Sequence, residues 1–119
     1  MLTGAVEADF WSAADHLVSE HKLVIDRPRG SQHPRYPNFV YPLDYGYLEG
    51  TTAADGGGID VWRGSAALQV QGVLITLDLV KRDAEVKLLL ACTAEEMRIA
   101  HAACSSEFMQ ALLCPRPSD

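Results

Sequence analysis

Tyr41-Pro42-Leu43-Asp44-Tyr45-Gly46-Tyr47-Leu48-Glu49-Gly50-Thr51, continued by Asp55-Gly56-Gly57-Gly58-Ile59-Asp60, is the segment whose reading decides this chain. It holds the densest polar chemistry in the sequence. Three consecutive glycines permit backbone conformations closed to other residues, and they set Asp55 and Asp60 on either side of the turn they make. Two carboxylates brought together on a tight loop repel unless a cation sits between them, and hard oxygen donors select Mg²⁺ or Mn²⁺ over zinc. From spacing alone the favoured reading is blander: an Asx-type turn entering a strand, since Asp and Gly are what turns are made of.

Around this segment the pattern alternates between strand and loop. Upstream, Val6, Phe10, Ala13 and Leu17 recur at helical spacing, with Glu7 and Asp9 at the positive end of the helix dipole, so the spacing predicts a helix over residues 6–21. Lys22 to Asp26 reads as a short strand that stops at Pro28, and a stretch rich in Pro, Gly, Arg and Tyr runs to about Gly58. All 4 tyrosines fall in it, which argues against a disordered linker. Downstream, Ile59 to Arg63 is a strand. Leu68 to Val80 is a longer one with Val73, Ile75, Leu77 and Leu79 on an apolar face, and Lys81 to Ala84 turns the chain into Glu85 to Cys92, making a β-hairpin. Thr93-Ala94-Glu95-Glu96 is a capping box. The helix it opens is expected to bury Met97, Ala100, Cys104, Phe108 and Leu112 and to end at Pro115.

Short strands holding a polar centre, with a helix at each end and no βαβ unit, predict a mainly β fold with flanking helices, a small twisted or barrel-like sheet. At 119 residues the chain is expected to form a single domain, residues 1–119, around one core. A formal charge of −6 without a basic stripe argues against nucleic acid, so an anionic ligand must be held by a few placed cations or a metal. The 3 cysteines are odd in number and lack C-x-x-C spacing, and reduced thiols in a cytoplasmic protein are the simplest account. The sequence shows no export signal and no run long enough to span a membrane, because Asp78 stops the best apolar stretch, Gly72 to Leu77. His16, His21 and His101 have no partner carboxylate at ligand spacing, and Trp11 and Trp62 read as packing residues.

Tyr-Pro-x-Asp-Tyr-Gly-Tyr over residues 41–47, a following threonine, and Asp-Gly-x-x-x-Asp over residues 55–60 resemble the signature of the soluble inorganic pyrophosphatases. Val24-Ile25-Asp26-Arg27-Pro28 resembles that family's V-I-E-I-P strand, Pro34-Arg35-Tyr36 its Lys-Tyr pair, and Glu85-Val86-Lys87-Leu88 its Asp-x-Lys strand. The resemblance spans about Lys22 to Leu90. It implies an OB-like β-barrel that binds Mg²⁺ (Mn²⁺ in its place) and hydrolyses pyrophosphate or a related phosphoanhydride through a metal-activated water. Carried over by position, Asp55, Asp60, Glu85 and Asp83 become metal ligands, Arg35, Tyr45 and Lys87 phosphate contacts, and Asp26 a carboxylate behind them. The family's habit of assembling implies a homo-oligomer.

The departures are as informative. The carboxylate the family uses to take the proton from water would stand at Gly57, and Asp44 and Glu49 are the nearest substitutes in sequence. Only Pro37-Asn38-Phe39-Val40 separates Tyr36 from Tyr41, where the family places a longer hairpin. A non-catalytic module that still binds metal and phosphate is therefore the alternative.

Overall fold

The computed structural model describes residues 6–118. The chain runs α1 (Val6–Glu20), β1 (Leu23–Arg27), β2 (Asp44–Leu48), β3 (Ile59–Arg63), β4 (Val70–Asp78), β5 (Asp83–Leu90), α2 (Ala94–Ala103) and β6 (Met109–Pro115). The strands form one six-stranded sheet in the order β1-β2-β3-β5-β4-β6. Every neighbouring pair is antiparallel except β3 and β5, which run parallel. The fold is mainly β, as expected, and barrel-like without closing: β1 and β6 remain as edges. No helix among the described residues is long and apolar enough to cross a membrane.

Strand alternation divides the core between the two faces of the sheet. On one face α1 sets Trp11 and Ala14 against Leu48, Val61, Val73, Leu88 and Leu90. On the other, Ala100 of α2 and Cys104 just beyond it pack on Trp62, Leu74 and Leu89. The buried stripe of α1 is therefore rotated from the expected Phe10–Ala13–Leu17 line, since Phe10 and Ala13 are exposed. Two contacts anchor the rotated face: the Asp15 carboxylate takes the Arg116 guanidinium at 2.8 Å and the Val70 N–H at 2.9 Å. The side chains of Val6, Glu7 and Asp9 lie outside the described ones.

The capping box forms as read, with Thr93 Oγ1 accepting from Glu96 N and the Glu96 carboxylate accepting from Thr93 N. The helix it starts is shorter than expected. It ends at Ala103, and residues 109–115 leave helical geometry to pair with β4 from Asp78↔Met109 to Gly72↔Pro115. A helix continuing to Pro115 would leave that edge of β4 without partners, and the ladder outweighs the helical spacing of Phe108 and Leu112. Both side chains are exposed instead of buried, Leu112 by 61%.

The β4–β5 hairpin is present, with its turn at residues 79–82 and Arg82 in the left-handed region at φ 60. Its expected apolar face is only half covered. Val73, Leu88 and Leu90 lie under α1, whereas Ile75, Leu77 and Val86 continue beyond the helix and Leu79 lies in the turn, all exposed. β2 was hidden inside the loop-rich stretch. It requires Gly46, because a Cβ there would stand 1.8 Å from the Val24 carbonyl oxygen of β1.

Candidate active site

The α2-side face of the sheet changes character along its strands. Near the helix it is apolar, through Trp62, Leu74 and Leu89. Farther along, the same alternation presents Asp60 from β3, Lys87, Glu85 and Asp83 from β5, and Thr76 and Asp78 from β4. Register aligns them: Val61 pairs with Leu88 across β3 and β5, Thr76 with Glu85 and Asp78 with Asp83 across the hairpin. Together they line a cleft of about 280 Å³.

Lys87 is the hub. Its ammonium donates to Tyr45 Oη at 2.8 Å, Asp60 Oδ2 at 3.1 Å and Glu85 Oε1 at 3.1 Å, which uses all the donors a lysine has. Tyr45 completes the ring by donating to the same Asp60 oxygen at 2.7 Å. Burial, with Lys87 only 7% exposed, would push the ammonium towards its neutral form. The Tyr45 oxygen and the Asp60 and Glu85 carboxylates outweigh that and hold its pKa above the usual lysine value. Tyr45 is raised too, chiefly by burial, so its hydroxyl keeps its proton.

The glycine turn delivers Asp55 to this group. Thr51 Oγ1 donates to Leu48 O and accepts from Ile59 N, which ties the end of β2 to the start of β3. Between them Ala53 N bonds Gly57 O, Gly56 N bonds Ala53 O with Gly56 at φ 89, and Asp55 Oδ1 accepts from Gly57 N at 3.0 Å. The Asp55 carboxyl meets that of Glu85. The contact holds Asp55 below the ordinary carboxylate range, while burial and then this same contact raise Glu85.

A β-bulge supplies the cation on the opposite wall. Pairing along β1 slips between Ile25 and Arg27, so Asp26 and Arg27, which regular alternation would send to opposite faces, both line the cleft. Arg27 Nη1 is committed only to Asp26, at 3.2 Å from its carbonyl oxygen and 3.7 Å from its carboxylate. The Arg27 guanidinium also stands beside the Tyr41 hydroxyl, whose pKa burial raises and Arg27 draws back.

The structure thus brings together Asp26, Tyr45, Asp55, Asp60, Asp83, Glu85 and Lys87. It does not bring in Arg35, whose backbone N–H donates to His33 Nδ1 in an exposed loop. Asp44 accepts from Arg29 N instead, and Glu49 is exposed outside the cleft. Sequence reasoning missed Thr76, Asp78 and Lys81 as lining residues and did not distinguish Arg27 from the other arginines of its stretch. Alternation in β4 carried the signal for Thr76 and Asp78; nothing in the sequence marks the bulge that turns Arg27.

Six carboxylates (Asp26, Asp55, Asp60, Asp78, Asp83, Glu85) face three cations (Arg27, Lys81, Lys87) around this cleft. That excess of hard oxygen donors suits a divalent cation. Among the described residues, no three His, Cys, Asp or Glu side chains already converge as a metal cage. Mg²⁺ does not need one, because it commonly takes one or two carboxylates and completes its shell with water and phosphate oxygens. The Asp55–Glu85 pair fits that requirement.

No family model matches the sequence, and neither does any curated protein. Solved structures do. An inorganic phosphatase from Anaplasma phagocytophilum superposes with a TM-score of 0.60 at 14% identity, covering 79% of this chain and 83% of that one. An inorganic pyrophosphatase from Neisseria gonorrhoeae does so with a TM-score of 0.55 at 14% identity, covering 81% of this chain and 75% of the other. At that identity the likeness is one of fold.

Proposed function

We propose that this chain, whose fold is pyrophosphatase-like, hydrolyses inorganic pyrophosphate or a related phosphoanhydride with the help of Mg²⁺. The observation that carries the reading is the buried Lys87 ammonium bridging Tyr45, Asp60 and Glu85, with Asp55 against Glu85, at the centre of one cleft. Asp55 and Glu85 would hold the metal, with Asp60 beside them. Bound there, Mg²⁺ would neutralise charge on the phosphoryl oxygens and lower the pKa of a coordinated water.

The chain's own residues supply the rest. Every Lys87 donor is taken, by Tyr45, Asp60 and Glu85. A phosphate oxygen would take the place of one of these acceptors, and Glu85 would be shared between Lys87 and the metal it would hold. Arg27, whose fork is mostly uncommitted, meets the phosphate from the opposite wall. Asp55 is the group that a side chain at Gly57 would touch, and it is held ionised, which suits a metal ligand.

Phosphate release from pyrophosphate, measured with Mg²⁺ and again after chelation, tests the reading. Metal-dependent release supports it. The glycine at position 57 favours one competing reading, a module that binds metal and pyrophosphate without turnover, and tight binding with no release would establish that instead.

A further inference from the structure

A second cleft, of about 360 Å³, opens beside the charged one. The two share His33, Tyr41, Tyr45, Lys87 and Met109 among their lining residues, so they adjoin. The second cleft is aromatic. His33 N–H to Phe39 O, Phe39 N–H to Tyr36 O and Tyr41 N–H to Ser31 O fold residues 31–41 into a tight excursion that carries the rings of His33, Tyr36, Phe39 and Tyr41 to one place. His33 lies 5.0 Å from Tyr36 between ring centroids, and Phe39 5.0 Å from Tyr41. The series runs inward through Tyr45 to Trp62, 4.6 Å apart.

This arrangement is more than inorganic pyrophosphate needs. An ion made only of phosphate has no surface to place against aromatic rings, yet Tyr36 stands 60% exposed at the rim of the aromatic cleft. The exposed ring of Tyr36, packed on His33 beside the charged cleft, matches a planar heteroaromatic group that stacks.

We infer that the chain's substrate is a nucleoside diphosphate, its base seated in the aromatic cleft and its diphosphate in the charged one; this rests on the reading of the charged cleft as a phosphoanhydride site. In the reaction a water oxygen bonds to the terminal phosphorus. The bond from that phosphorus to the bridging oxygen breaks, and the bridging oxygen leaves with the electron pair as the nucleoside monophosphate. The water protons are divided between the inorganic phosphate formed and solvent.

The test is calorimetric titration of the protein in Mg²⁺ with ADP and with methyl diphosphate, which has the same anhydride and no base. ADP should bind about tenfold or more tightly than methyl diphosphate, the scale of one base stacked on an aromatic side chain. Tyr36→Ala, at an exposed position that should not disturb the core, should remove most of that difference. Equal binding of the two ligands, or a difference that survives both Tyr36→Ala and Phe39→Ala, overturns the inference and leaves the phosphoanhydride reading standing. Failure of ADP, methyl diphosphate and pyrophosphate alike to bind overturns both.

Discussion

Asp55 in the glycine turn and Glu85 on β5, thirty positions away in sequence, meet carboxyl to carboxyl; the contact lowers the pKa of Asp55, while burial first and then the contact raise that of Glu85. Nothing in the packing demands this contact. Asp55 is exposed, and the turn that carries it is closed by its own backbone bonds. Like charges held together this way are relieved by a proton or by a cation, and Lys87 reaches only the Glu85 side of the pair.

Metal should therefore stabilise the fold. Mg²⁺ or Mn²⁺ at about 100 times its dissociation constant contributes about 2.7 kcal/mol by binding the native state alone, a clear upward step in Tm. Asp55→Asn should reduce that step sharply. A melting curve of the parent protein that does not respond to millimolar-scale metal would remove Asp55 and Glu85 from the metal-binding account.

Position 57 can accept a carboxylate. A Cβ there would meet only Asp55 Oδ1, at 3.5 Å, an ordinary contact, and the backbone is not in the left-handed region. A positioned general base contributes about 10²- to 10⁴-fold. Gly57→Asp should raise kcat for pyrophosphate towards that range in a steady-state assay. An unchanged or lower kcat would mean that proton removal is already handled by a group the new carboxylate does not improve on.

Gly46 is the opposite case. Its virtual Cβ overlaps the Val24 carbonyl, so Gly46→Ala must part β1 from β2 and should cost about 3 kcal/mol or more by urea denaturation. Gly57→Ala serves as the control and should stay within about 0.5 kcal/mol. Similar losses for both would show that strands β1 and β2 are not held at this spacing.

The capping box predicts a pH signature. Thr93 N–H, and then the Ser65 N–H and hydroxyl, hold the Glu96 carboxyl below its ordinary value of 4.5. A depressed carboxylate contributes stability that is present above the unfolded-state pKa and is lost as pH falls through the folded one. Glu96→Gln should therefore lower the denaturation midpoint at neutral pH, and the gap from the parent should narrow below about pH 4.5. Thr93→Ala should cost about 1 kcal/mol. A gap that is constant from pH 7 to pH 3 would show that Glu96 acts through packing alone.

What could be read from the sequence follows from the range of the interactions involved. The capping box is local, spanning Thr93 to Glu96, and so is the alternation that puts Glu85 beside Lys87; neither needs a distant partner to be recognised. The motif around Tyr45 and Asp60 marks residues that antiparallel pairing of β2 and β3 then joins. Three features depend on pairing that the sequence does not display. The slip at Asp26 turns Arg27 inward, the edge of β4 draws residues 109–115 out of a helix, and parallel alignment of β3 with β5 sets Asp60 beside Lys87. Arg35 illustrates the converse: the family resemblance of Pro34-Arg35-Tyr36 implies a phosphate contact, yet the loop folds around His33 and leaves it at the surface.

Lys87→Met is the most direct test, because it keeps the aliphatic stem and removes only the charge that links Tyr45, Asp60 and Glu85. With folding verified by circular dichroism, Mg²⁺-dependent phosphate release from pyrophosphate should fall by about 10²-fold or more, as expected when a cation facing the transferring phosphoryl group is lost. Release by the variant at the parent's rate would contradict the account, since the cleft built around Lys87 would then not be where the anhydride is cleaved.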